Sequence, residues 1–266
     1  MKKFLLTLAI FVAAFAQANA QSMSLAEIDE KYKIEEYTIP SFTPFLVAKV
    51  AATANPTEAN METLYQRIAE LKTYQHPYDV VVNINGDPTT RMAFAWYTND
   101  RMTDGEVQLT PITNLAALTT VFDTATNVMA IPATPPATKK SRYAIGLSGI
   151  PAATGVPMST KYKYTSHKAI AENLTPNTIY AYRVGTDGYW SEVAYFTTAP
   201  KNEPDASEEF TFIYMTDSHI LDQSYVDAVR QTATAAVNNV PEAKFCVFPG
   251  DHVETGSTGN AEWEWE

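Results

Sequence analysis

The chain has 266 residues, enough for two modest domains or one large one, and 45% of them are hydrophobic, enough to bury a core. Thirty acidic residues against 19 basic leave a formal net charge of −11, which argues against a nucleic-acid partner because phosphates demand a basic surface. A single cysteine, Cys246, excludes an internal disulfide, so stability must come from packing.

Lys2 and Lys3 precede an almost wholly apolar run, Phe4 to Ala16, and Ala18-Asn19-Ala20 follows with the small-x-small pattern a signal peptidase accepts. Residues 1–20 are therefore expected to be a signal peptide, cleaved after Ala20 to leave Gln21 at the N-terminus. A retained anchor is the alternative, but the apolar run falls short of the ~20 residues that cross a bilayer. No later stretch is apolar enough to span, so no membrane span is expected after signal removal. The expected location is periplasmic or extracellular.

Residues 21–76 read as an N-terminal extension with one helix. A polar start leads through Ile39-Pro40 to the apolar stretch Phe45 to Val50. Asn55-Pro56-Thr57-Glu58 is a helix-start signature with Thr57 as N-cap, and Met61, Leu64, Tyr65, Ile68 and Leu71 follow at three- and four-residue spacing. The helix should stop before His76-Pro77.

From Tyr78 the period becomes two. Val80 to Ile84 and Met92 to Thr98 read as strands on either side of the turn cluster Asn85-Gly86-Asp87-Pro88. Glu106 to Thr110, the region of Tyr162 and Tyr164, Thr178 to Val184, and Val193 to Thr197 continue the pattern, while Ile131 to Pro136 reads as a loop. Such short strands, spread over residues 77–200, predict a β-sandwich. The polar, proline-containing segment 201–209 reads as a linker.

Residues 210–266 change character once more. Phe210 to Met215 is a nearly continuous apolar run, as expected of a strand covered on both faces. Asp222 is a candidate N-cap for a helix bearing Tyr225, Val226, Val229, Ala233, Ala236 and Val237, and Pro241 ends it. Lys244 to Phe248 is a second apolar strand, which should bury Cys246. Strand, helix, strand predicts a βαβ unit with a parallel pair.

Both strands end in groups that bind metals. The first ends in Thr216-Asp217-Ser218-His219 and the second in Pro249-Gly250-Asp251-His252. Ligands collect at the carboxyl ends of parallel strands, and neighbouring strands lie ~4.8 Å apart, so Asp217, His219 and Asp251 are expected to converge. Carboxylate with imidazole suits Fe, Zn or Mn, and Asp251 has two oxygens with which to bridge a metal pair. Gly250 either lets the backbone approach closely or takes a conformation closed to side chains.

Asp217-x-His219 followed by Gly250-Asp251-x-x-Glu254 resembles the first two signature blocks of calcineurin-like metallophosphoesterases. Gly86-Asp87-Pro88-Thr89-Thr90, Phe94-x-Trp96-x-Thr98, Leu174-x-Pro176-x-Thr178-x-Tyr180-x-Tyr182-Arg183-Val184-Gly185 and Phe196-Thr197-Thr198-Ala199-Pro200 resemble the fibronectin III-like N-terminal domain of purple acid phosphatases. The implied fold is a β-sandwich followed by the first βαβ unit of an α/β metallophosphoesterase domain. The implied function is secreted, metal-dependent hydrolysis of a small phosphate ester, with two metal ions in the complete family site. Asp217 and His219 would hold the first ion and Asp251 would bridge the pair.

Three departures refine that expectation. Purple acid phosphatases carry Gly where this chain has His219 and an iron-binding Tyr where it has Glu254, so the chain resembles the general Asp-x-His type, without the purple colour. Glu254 is expected to support a ligand from behind, and His252 to be structural or to face substrate. The family's later Asn-His and Gly-His-x-His blocks do not occur before Glu266, so at most a half-site is expected, inactive or nearly so by itself. The rival expectation is a non-catalytic exported module in which Trp96, Tyr97, Tyr189 and Trp190 line a carbohydrate or protein site.

Overall fold

Residues 23–134, 138–144, 160–201, 210–220 and 223–253 are described by the computed structural model, in two units that are treated separately. The signal peptide, nearly all of the linker, Asp222 and Glu254 lie outside the described residues.

The first unit opens with helices. Ser24 and Glu27 form a capping box, each side chain satisfying the other's backbone N–H (2.7 and 3.3 Å), and this starts α1, Leu25–Lys31. A single 3-10 turn, Ile34–Glu36, precedes α2, Ile39–Ala54, and Thr57 caps α3, Glu58–Ala69. The extension therefore holds three α-helices where the sequence predicts one. The reason lies in α2. Its Pro40 is tolerated in the first turn, where the N–H has no helical partner anyway, although Pro44 sits inside. Its apolar residues are spread so evenly that no single stripe betrays the helix. Phe42, Phe45, Leu46, Ala48, Val50 and Ala52 are all buried, and α2 packs on α3 through Leu64 and Ile68 of the latter.

These helices are closed against the segment that leads into the strands. Thr38 N–H donates to Lys72 O (2.9 Å) and Tyr74 N–H to Glu36 O (3.0 Å). Arg101 lies over the Tyr74 ring at 4.3 Å and donates to Glu36 Oε1 at 2.9 Å.

The strands form two antiparallel sheets. One has the order β1-β2-β6-β5, from Tyr78–Ile84, Met92–Asn99, Thr160–Ala171 and Thr138–Ala144. The other has β4-β3-β7-β8, from Met129–Pro132, Glu106–Ile112, Ile179–Thr186 and Tyr189–Trp190, with β9 (Ala194–Thr197) also pairing with β7. Ile131 and Pro132, expected in a loop, close strand β4 as partners of Val107 and Glu106. An edge position tolerates this proline, whose missing N–H costs no ladder bond there.

Alternate residues point inward, so Met92, Phe94 and Trp96 of one sheet meet Val107, Leu109, Tyr180, Tyr182 and Val184 of the other in one core. Phe94 packs edge-on against Tyr182 (5.3 Å) and Phe196 (5.9 Å). The Tyr180 hydroxyl accepts from Thr175 N–H at 2.9 Å, the corner contact that fixes entry into such a strand. Asp87 closes the turn between β1 and β2 by accepting from Thr89 N–H (2.9 Å), a bond that also holds its carboxyl below the usual range.

The second unit contains β10 (Ile213–Tyr214), α4 (Gln223–Asn239) and β11 (Cys246–Val247). The two strands pair in parallel, Ile213 with Cys246 and Tyr214 with Val247. Helix α4 half-buries Val226, Val229, Ala233 and Ala236, whereas Tyr225 and Val237 stay exposed. Burial corrects two expectations. Cys246 is exposed rather than core, and the strand run is not covered on both faces among the described residues, since Phe210, Phe212 and Tyr214 are all exposed. A single helix shields only one face of a two-stranded pair. No helix among the described residues is long and apolar enough to cross a membrane.

One buried group makes the sandwich sensitive to pH. His167 is fully buried, stacks on Trp96 (5.2 Å, 9°) and shares a 2.8 Å hydrogen bond with Thr98 Oγ1, while its Nδ1 has no partner among the described residues. Burial pushes its pKa down to about 4, more strongly than Asp104 raises it. The folded state therefore resists a proton that the unfolded chain accepts near pH 6.5. Stability should be intact above that pH and decline as pH falls toward 4, by up to about 3 kcal/mol from this group. Urea midpoints across pH 7 to 4 should fall more steeply for the native protein than for His167→Gln; parallel curves would refute the assignment.

Candidate metal centre

The parallel pairing does not stop where β10 and β11 end. Met215 N–H donates to Val247 O, and after a gap His219 N–H donates to Asp251 O and Ile220 N–H to His252 O, each at 3.0 Å. The Ser218 hydroxyl adds a bond to His252 O at 2.8 Å. Ile220 and Val253, at 2% and 6% exposure, pair across the far end and anchor it in apolar contact. Two segments that leave adjacent strands are thus sewn together above and below the residues between them.

Those residues are strained. Asp217 (φ 57°) and His219 (φ 45°) both adopt the left-handed conformation that non-glycine residues rarely take. Such strain persists only where the surroundings over-determine it, and it is concentrated at functional sites. Here the flanking hydrogen bonds do so.

The outcome is a cluster. Asp217, His219 and Asp251 each offer one ligating atom, and these atoms all lie within 4.8 Å of one another. His219 Nε2 stands 3.6 Å from Asp217 Oδ1, and the carboxylates of Asp217 and Asp251 are exposed while His219 is half-buried. Gly250 explains how the second segment comes so near. A Cβ there would lie 1.8 Å from Thr216 Oγ1 and 2.6 Å from Asp217 Oδ2, so glycine serves close approach, with no positive φ involved. Two carboxylates and an imidazole around one point suit Fe, Zn or Mn, and the residues present fit such an ion.

His252 does not join the cluster. Its Nε2 lies 3.0 Å from Phe248 O and its ring packs on Phe248 at 4.7 Å, while its carbonyl receives the bonds from Ser218 and Ile220. Sequence reading passed over Thr216 and Ser218, whose hydroxyls flank Asp217; the alternation of hydroxyl and ligand in Thr-Asp-Ser-His was the available signal.

The aromatic residues of the rival reading scatter. Trp96 is fully buried, Tyr97 packs between Tyr78 (6.0 Å) and Tyr164 (5.1 Å), and Tyr189 meets His76 edge-on at 5.3 Å. Trp190 lines a cavity of about 300 Å³, together with Lys72, His76, Tyr182 and Glu192, and the Arg183 guanidinium lies over its ring at 4.3 Å.

Residues 77–198 match the family described as "Purple acid Phosphatase, N-terminal domain". The match spans the sandwich. Among solved structures, the chain is similar to the fn3 domain of human contactin 1, at 13% identity and a TM-score of 0.29, over 49% of this chain and 82% of that one. It is also similar to Astrotactin-2, a vertebrate perforin-like membrane protein, at 11% identity and a TM-score of 0.26, over 61% of this chain and 29% of that one. A comparison with the curated proteins found no match.

The Gly250 contact is open to test. In Gly250→Ala the added methyl should force the two segments apart, and amide hydrogen exchange at His219 and Ile220 should quicken about tenfold, equivalent to ~1.4 kcal/mol of local stability. Unchanged exchange would show that the two segments have slack.

Proposed function

We propose that the chain carries metal ligands of a secreted metal-dependent phosphohydrolase, with the sandwich as an accessory domain before the site. The convergence of Asp217, His219 and Asp251 within 4.8 Å supports this reading most directly, because a strained loop that gathers two carboxylates and an imidazole is costly without a ligand for them. The sandwich match to the purple acid phosphatase N-terminal domain supports the same chemistry from a separate part of the sequence.

In this reading Asp217, His219 and Asp251 would hold an ion of Fe, Zn or Mn, and the second carboxylate oxygen of Asp251 would be available to a second ion. When bound, the metal supplies neutralisation of phosphoryl charge and a water of lowered pKa. The protein's own part is orientation. The backbone bonds to Asp251 O and His252 O hold the ligand-bearing segments in register, so the donors need not reorganise when substrate arrives. His219, where purple acid phosphatases carry Gly, supports the general calcineurin-like type over the purple branch. The substrate class is a small phosphate ester.

A second reading, an exported sandwich that binds without catalysis, is favoured by one observation, the cavity beside Trp190. The two diverge on metal. Phosphohydrolase ligands predict that Mn(II) or Zn(II) raises the melting temperature of the native protein, that chelation reverses the rise, and that Asp251→Asn loses most of it. In the whole protein Asp251→Asn should also abolish metal-dependent hydrolysis of an aryl phosphate. A melting temperature indifferent to metal would favour the binding module, and unchanged turnover in Asp251→Asn would remove that residue from the site. Secretion has its own measurement: the exported protein should begin at Gln21, and an N-terminus at Met1 would refute cleavage.

A further inference from the structure

Thr216 precedes the left-handed Asp217 and is itself exposed. Its hydroxyl donates to Asp217 Oδ2 at 2.5 Å, the length of a strong hydrogen bond to an ionised carboxylate. The other oxygen, Oδ1, faces His219 Nε2 at 3.6 Å. The same hydroxyl marks the place that a side chain at position 250 would need, since a Cβ on Gly250 would fall 1.8 Å from Thr216 Oγ1. The hydroxyl is therefore bound by the carboxylate and occupies space that only a glycine at position 250 leaves open.

We infer that Thr216 is a positioning residue, whose hydroxyl engages Oδ2 of Asp217 so that the carboxylate presents Oδ1 alone, beside His219, to a metal ion. This rests on the metal-ligand reading above. The physical reason is competition for lone pairs. A carboxylate with one oxygen tied to a neighbouring hydroxyl binds a cation through the other oxygen, in a fixed direction, whereas an untied one rotates and chelates through both. Groups that orient a ligand in this way typically contribute 10–100-fold in metal affinity.

The test is calorimetric titration of the native chain, Thr216→Val, Thr216→Ser and Asp217→Asn with Zn(II), together with Co(II) absorption spectra. Circular dichroism confirms that each variant is folded. Thr216→Val keeps the branched shape and removes the donor, so its Kd should rise about 10–100-fold, while Thr216→Ser stays within about threefold of the native value. The Co(II) d–d band should weaken in Thr216→Val as a second oxygen of Asp217 joins the ion. Equal affinity and equal spectra for Thr216→Val and the native chain, with binding lost in Asp217→Asn, would overturn the role of Thr216 and leave the metal site standing. Loss of affinity in Thr216→Val that serine fails to restore would also overturn it, by assigning the effect to the methyl group. Metal binding that is missing in the native chain, or undiminished in Asp217→Asn, would overturn the metal-site reading and this inference together.

Discussion

A short ladder of parallel backbone hydrogen bonds, begun by β10 and β11 and resumed by His219 with Asp251 and Ile220 with His252, is the constraint on which the candidate site depends. Parallel pairing brings two segments far apart in sequence to the same end of the sheet with their carboxyl ends aligned. Because the bonds resume at His219 and Asp251, both ends of each short loop are held. That is how Asp217 and His219 can be kept in a left-handed conformation without relaxing. Glycine at 250 is the other half of the constraint, since the Thr216 hydroxyl and the Asp217 carboxylate occupy the volume that any side chain there would need.

The sandwich solves a different problem by different means. Its core is a set of interlocking aromatic rings, Phe94, Tyr180, Tyr182 and Phe196, supplied by both sheets. Within it the Trp96–His167 stack places an imidazole where water does not reach. A neutral histidine is acceptable there because Thr98 takes one ring nitrogen; a protonated one is disfavoured, because Asp104 offsets only part of the cost of burying the charge. The helical extension is closed on itself by backbone bonds at Thr38 and Tyr74, and Arg101, from the loop after β2, bridges to Glu36 on the surface. The ion pair is exposed and contributes little; the buried face of α2 contributes more.

Where reading the residues in order succeeded, a local period or a local turn signal sufficed. Thr57 opened its helix, alternate burial of Met92, Phe94, Trp96 and Thr98 followed from the two-residue period, and the parallel pair at Ile213 and Cys246 followed from strand, helix, strand. Reading failed where the signal was not periodic. Helix α2 is apolar without a stripe and carries a proline in its first turn. Strand β4 ends in Ile131 and Pro132, which the sequence assigns to a loop. Cys246 has the composition of a core residue and is exposed, because burial depends on what lies opposite and not on the strand itself.

The candidate ligands show the same division. Residue type and position at strand ends were enough to single out Asp217, His219 and Asp251, because parallel strands carry their termini to a common edge. Sequence alone also determined that any nucleic-acid partner would meet an acidic chain, and that no disulfide could brace it. Only the tertiary structure decided that Gly250 serves contact instead of backbone torsion and that His252 turns to Phe248. The hydroxyl of Thr216 on one oxygen of Asp217 was likewise invisible in sequence order. Each of these is a distance between atoms on different segments, set by the ladder that joins the segments, and no one-dimensional pattern encodes it.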